Sequence, residues 1–275
     1  MRKNLFHSLF FALLILTSCQ NEQKISSPTP TPEKRAEFKR EVFDVEKYPG
    51  LLAVGRLQID KSWCAITLVS ENIGVTAAHC FKSDNIDILT KDKVLLRSAK
   101  VIFMTKDSES KVTVKIDSVL KWKMNPDFAI VKLKEKMPND KVEPLELSDM
   151  EFTDMLSDAN KLGCAGYNGD KELGNLGKNL TISRNIKVLY EESNSKKIDT
   201  NCVSTFGGSG GLFFEEELNS ETNSKEYKFL GVIWGVVGDN YDANGNLIAD
   251  RDTVTSITPV KVFREELVKI IENNQ

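Results

Sequence analysis

Apolar residues along this chain fall mostly in short alternating runs. The stretches "LLAVGRLQI" (51–59), "VKIDSVLKW" (114–122) and "LTISRNIKVLY" (180–190) are separated by positions rich in Gly, Asn and Asp. A period near two is that of strands with one face in a core, so the pattern predicts an all-β fold. Two stretches depart from it. The first 18 residues, "MRKNLFHSLFFALLILTS", set Arg2 and Lys3 ahead of an apolar run too short to span a bilayer, which is the layout of a removable secretory signal. Near the other end, Phe263, Leu267, Ile270 and Ile271 recur at helical spacing behind Thr258 and Pro259. This predicts one C-terminal helix, capped by Thr258 with Pro259 in its first position.

The signal ends "LTSC" (16–19), which resembles the lipobox of bacterial lipoproteins, and so makes Cys19 the expected lipid-bearing residue. Residues 19–46 then read as the lipidated N-terminus and a flexible tether, mostly polar and charged and partly stiffened by Pro28, Pro30 and Pro32. The folded domain is expected over 47–275. With 275 residues, 40% apolar and 28% charged, the chain has enough to bury a sizeable core and is not disordered by composition. The formal charge is −3 and becomes −5 once Arg2 and Lys3 leave with the signal, which argues against a nucleic-acid surface.

Cysteine usage agrees with export. Of the five cysteines, a lipid on Cys19 accounts for the odd one. Cys64, Cys80, Cys164 and Cys202 remain, an even set suited to two disulfides with three possible connectivities. No C-x-x-C occurs, so neither a zinc nor a redox site of that kind is expected, and nothing calls for a metal or cofactor.

The candidate chemistry centres on "TFGGSGGLFF" (205–214). G-G-S-G-G around Ser209 suits the nucleophile elbow of α/β-hydrolases, the serine loop of another protease class, or an ordinary tight turn. The histidines discriminate. There are two, and His7 leaves with the signal, so His79 in "GVTAAHC" is the single imidazole of the mature chain. An α/β-hydrolase places its His after the nucleophile, and no His follows Ser209. The order His, acid, Ser survives.

At this point "WCAITLVSENIGVTAAHC" (63–80) resembles the histidine loop of chymotrypsin-like serine proteases, T-A-A-H-C being reproduced without change over Thr76 to Cys80. "NPDFAIVKLK" (125–134) is similar to the family's acid-bearing strand, and offers Asp127, 48 residues after His79 and 82 before Ser209. The resemblance implies a fold of two six-stranded antiparallel β-barrels, about 47–145 and 146–275, with the C-terminal helix on the second. It further implies that Ser209 attacks, His79 is its base, Asp127 orients the imidazole, and the N–H groups of Gly207 and Ser209 form an oxyanion hole. Cys64 and Cys80 would pair beside the histidine. Cys164 and Cys202 would be the second pair, at offsets unlike the family's commonest bridges.

The chain also departs from the family. Gly208 stands before the nucleophile where animal trypsin-like enzymes carry an Asp that pairs with a freed N-terminus, and no I-V-G-G start lies upstream. No zymogen switch of that kind is expected, and the nearer likeness is to the V8-like glutamyl endopeptidases and other bacterial branches. "FLGVIWGVVG" (229–238) is similar to the substrate-pairing strand, with Trp234 and Gly235 at its W-G step. Ile233 stands where the V8-like branch has a glutamate-reading His, and Val203 and Ser204 replace a trypsin-like pocket acid. The substrate-binding set is therefore Val203, Ser204, Ile233, Trp234 and Gly235, with neither Glu nor Lys/Arg selection implied. "NYDANGNLIAD" (240–250) reads as a hairpin turn at Asn244-Gly245, not a calcium loop.

The expected function is a serine endopeptidase working through an acyl-enzyme, a monomer acting on peptides or proteins and held by its lipid to a bacterial membrane, on the periplasmic or outer face. The competing expectation is an inactive relative that binds peptides in the same cleft.

Overall fold

Alternation becomes pairing as expected. The computed structural model describes residues 40–83, 86–87, 96, 98–107, 110–192, 196–237 and 254–275. The signal segment, Cys19, most of the proposed tether and the 240–250 turn lie outside them. Strands β1 (Arg40–Val42), β2 (Val54–Ile59), β3 (Ser62–Ser70), β4 (Ile73–Thr76), β5 (Lys82–Ser83), β6 (Ile86–Asp87), β7 (Lys100–Met104), β8 (Lys111–Met124) and β9 (Asp127–Leu133) form the first half. Of these, β2-β3-β4-β9-β8-β7 close into a six-stranded barrel, and β5 pairs only with β6. In β8 the alternation is visible directly, Val114 and Ile116 being buried between exposed Thr113, Lys115 and Asp117.

The second half comprises β10 (Glu146–Leu147), β11 (Leu162–Gly166), β12 (Thr181–Arg184), β13 (Val188–Glu192), β14 (Lys197–Thr200), β15 (Leu212–Leu218), β16 (Lys225–Val237) and β17 (Val254–Pro259). Here the architecture is richer than a closed six-stranded barrel. Among the described residues it is an open nine-stranded sheet in the order β1-β12-β11-β15-β16-β17-β14-β13, with β10 added parallel to β16.

Two expected boundaries move. β1 pairs with β12, Arg40 opposite Ser183 and Val42 opposite Thr181, so the folded unit begins at least seven residues before 47. Polarity hid this strand, because an edge strand of Arg-Glu-Val stabilised by ladder bonds and ion pairs has no apolar alternation to show. The helix also starts later than predicted. Thr258 and Pro259 end β17, Val260–Val262 form a 3-10 turn, and the helix runs Arg264–Glu272. The periodic residues were read correctly, but the strand continues through Thr258 because it pairs with Val232 of β16.

One apolar cluster runs through both halves and a second fills the far side of the larger sheet around Cys164, Cys202, Phe213 and Ile257. The halves are joined at Phe263, which stacks on Phe128 of the first barrel at 4.4 Å and meets Phe229 of the second edge-on at 6.5 Å. Such aromatic contacts contribute about 0.5–1.5 kcal/mol each beyond the area they bury. The helix is tied to both halves, with Glu266 bonding Lys121 of β8 at 2.5 Å, so it does not rest on the second alone.

Candidate active site

β4 and β9 are neighbours with Thr76 opposite Ala129, and this register sets the turn after β4 beside the first residue of β9. His79 lies in that turn, a 3-10 segment over Ala78–Phe81, and Asp127 opens β9 with no exposed surface. The Asp127 carboxylate would be costly to bury alone. Its two oxygens are divided between two tasks. Oδ1 accepts the backbone N–H groups of Ala78 at 2.6 Å and His79 at 3.2 Å, and Oδ2 lies 2.5 Å from His79 Nδ1. The carboxylate thereby holds both the turn and the ring, and it assigns the imidazole proton to Nδ1, leaving the Nε2 lone pair outward. Thr258 donates its hydroxyl to the Asp127 carbonyl at 2.9 Å, tying the acid to the second sheet.

The Cys64–Cys80 disulfide fixes the far end of the histidine turn to β3, and Cys164–Cys202 joins β11 to the segment before Ser209. Cys64, His79 and Cys80 are the one close group of potential metal ligands among the described residues, but both sulfurs are in the disulfide and only a ring nitrogen remains.

Ser209 lies on the loop entering β15, partly exposed. Its carbonyl accepts from Ala65 N at 2.8 Å, and Gly210 donates to Ile233 O at 2.8 Å. Gly210 has φ +75°, and a side-chain carbon there would fall 2.1 Å from Thr76 Oγ1 and 3.1 Å from Ala77 N. A glycine is thus required for the serine loop to approach the histidine turn this closely. Gly207, at φ +87°, is packed behind by the Trp63 ring in the same way. Along the loop the amides alternate: Gly208 N is spent on Thr205 O and Gly210 N on Ile233 O. Those of Gly207 and Ser209 have no partner among the described residues, and Ser209 Oγ makes no side-chain bond there either.

The remaining candidates separate. Ser204 is buried, with Oγ 3.4 Å from Asn168 Oδ1, while Val203 is partly exposed. Ile233 is buried and spends its N–H on Gly211 O and its carbonyl on Gly210 N, so it braces the serine loop. Trp234 and Gly235 are partly exposed at a bulge, and nothing lies within 4 Å of a side chain built at Gly235. β15 pairs with β16 only as far as Val232, which leaves the 234–237 edge without a strand on that side among the described residues.

Sequence reasoning missed Asn168, which the structure puts at the centre of the loop's support. Its Oδ1 accepts Thr205 N at 2.6 Å and its Nδ2 donates to Thr181 Oγ1 at 2.7 Å. Ser204 Oγ and Asn168 Oδ1 lie 2.3 and 2.7 Å from where a Gly208 side chain would begin, so a side chain there has no room. A single Asn in a Gly-rich run carries no signal of its own.

No curated protein sequence matches the chain significantly. A family model described as Trypsin matches residues 45–221, more than half of the chain, and its span takes in His79, Asp127 and Ser209 but stops short of Ile233. With this match over a closed β-barrel joined to a second β-sheet and a short C-terminal helix, the chain belongs to the trypsin family.

Proposed function

We propose that this protein is a serine endopeptidase in which Ser209 is the nucleophile, His79 the general base and acid, and Asp127 the residue that orients the imidazole. The observation that carries the reading is the Asp127 carboxylate, fully buried, bonded at once to His79 Nδ1 and to the backbone of the histidine turn, beside a glycine loop with two amides unpartnered among the described residues.

In the first step Ser209 Oγ attacks the scissile carbonyl carbon as its proton passes to His79 Nε2. The imidazolium so formed is stabilised by Asp127. The carbonyl oxygen gains negative charge and accepts the N–H groups of Gly207 and Ser209, each worth about 3 kcal/mol of barrier. Collapse breaks the C–N bond, the His79 proton leaves with the amine, and an acyl-Ser209 ester remains. Water, deprotonated by the same imidazole, then releases the acid and restores the hydroxyl. Peptide is held along the free 234–237 edge by main-chain hydrogen bonds. Neither Val203 nor Ser204, the residues expected to line the substrate pocket, carries a charge, so this reading includes no selection for Lys or Arg.

The two disulfides support an exported protein, and the lipid on Cys19 with its tether completes the reading as a membrane-held enzyme near the bacterial branches of the family. The test is labelling of the full chain by a fluorophosphonate probe, which reacts with a serine activated by its base. Labelling at Ser209, lost in Ser209→Ala and His79→Ala, is the expected result. Absence of labelling together with retained peptide binding would favour an inactive binder.

A further inference from the structure

We propose that Arg40 is a positioning residue of this active site: through its ion pair with Asp170 it clamps the loop that supports the serine loop. The inference rests on the serine-protease reading above and names a control within that site.

Arg40 Nη2 lies 2.7 Å from Asp170 Oδ2, with the two side chains 6% and 3% exposed; no other Lys or Arg ion pair among the described residues is so buried. Asp170 in turn organises its own loop. Its Oδ1 accepts Leu173 N at 3.0 Å and Gly174 N at 3.1 Å, and its carbonyl accepts Leu176 N at 3.0 Å. The two residues before it reach the serine loop directly. Asn168 Oδ1 takes Thr205 N, and Gly169 N donates to Phe206 O at 2.7 Å, the residue immediately before Gly207. The fold has no slack here, since a side-chain carbon at Gly174 would fall 2.0 Å from Asn168 O. A guanidinium on β1 is thus linked through Asp170, Asn168 and Gly169 to the peptide units that aim the Gly207 amide.

Stability alone does not explain the pair. Arg40 Nε and Nη1 and Asp170 Oδ2 are buried without a hydrogen-bond partner among the described residues, so the pair is a charge contact, and Asp170 is the single described group that offsets burying Arg40. Apolar side chains of similar size are often at least as stable in such a place, and in some proteins a retained pair of this kind selects one conformation, the role proposed here. The charge arrives on a three-residue edge strand at the start of the described residues, already in the chain and requiring no cut. The direction of control is consequently inverted: displacing β1 lowers activity.

The experiment uses the full chain and the variants Arg40→Met, Arg40→Lys, Asp170→Asn and the double Arg40→Met/Asp170→Asn. Both single losses of charge are expected to lower kcat and the fluorophosphonate labelling rate by about tenfold or more while KM stays within about twofold. The double variant is expected to be no worse than the poorer single, and Arg40→Lys to recover part of the rate. Wild-type kcat in Arg40→Met, a change confined to KM, or multiplicative losses in the double variant would each overturn the proposal. Amide exchange separates this from failure of the protease reading. If even the wild type is unlabelled, faster exchange over 168–177 and 203–209 in Arg40→Met still supports the clamp, and unchanged exchange overturns it.

Discussion

At the residue scale, the site depends on how buried polar groups divide their bonds. Asp127 gives one oxygen to backbone and one to the ring, so replacing it tests orientation separately from packing. In Asp127→Asn the amide oxygen can still hold the 78–79 backbone, but the NH₂ faces His79 Nδ1 and drives the ring proton to Nε2. That tautomer cannot accept the Ser209 proton, and kcat is expected to fall by about 10⁴-fold with the fold retained, measured by peptide-ester turnover beside circular dichroism. Asp170 offers a pH test. Burial pushes its carboxyl up, but the Gly174 and Leu173 amides and the Arg40 charge outweigh that and hold it below the ordinary carboxylate value. A lowered folded pKa contributes stability that is complete above the unfolded value of about 3.9 and is lost as pH falls through the folded value. Asp170→Asn leaves Arg40 buried and unpaired, a loss of about 3–5 kcal/mol. In urea unfolding, its deficit against wild type is expected to be constant from about pH 8 to 5 and to shrink below about pH 4.

At the scale of elements, the histidine turn is a short 3-10 segment with little stability of its own, and it is held by Asp127 on one side and by the Cys64–Cys80 bridge on the other. That bridge joins residues 16 apart in sequence, and a loop of this length is worth about 3 kcal/mol through restriction of the unfolded chain. A Cys64→Ala/Cys80→Ala variant is therefore expected to unfold at lower urea with a loss near that size and to label with fluorophosphonate more slowly, because His79 loses one of its two restraints. A non-reduced digest of the wild type is expected to yield the linked pair, and two free thiols there would count against the arrangement. The serine loop differs in kind. It is built from backbone bonds to Ala65 of β3, to β16 and to the 168–169 segment, so it depends on both sheet register and the Asn168 side chain.

At the scale of the whole molecule, the two halves meet at the site, His79 and Asp127 coming from the closed barrel and Ser209 from the open sheet. Because Gly208 has no side chain to pair with a new N-terminus, and Ser204 and Asn168 already crowd that position, the domain is expected to be active without proteolytic cutting. Equal fluorophosphonate labelling of the intact chain and of chain cut upstream of residue 40 checks this, and labelling that appears only after the cut would contradict it. The sequence by itself determined the all-β class, since alternation survives in any sheet with one buried face, and it ordered His79, Asp127 and Ser209 through motifs whose residue types the chemistry restricts. It also marked Phe263, Leu267, Ile270 and Ile271 as one helical face, though not where the helix begins. Only the tertiary structure decided the rest. Thr258 is a strand residue because β16 lies beside it to complete its ladder, and no local propensity contains that neighbour. Arg40 belongs to the fold because Asp170, far along the chain, neutralises it in a place no periodicity reports. Asn168 and Ile233 brace the serine loop through bonds that exist only once the sheet has set its register. Local pattern records which face a residue turns to the core; long-range pairing, which sequence spacing does not encode, decides what it meets there.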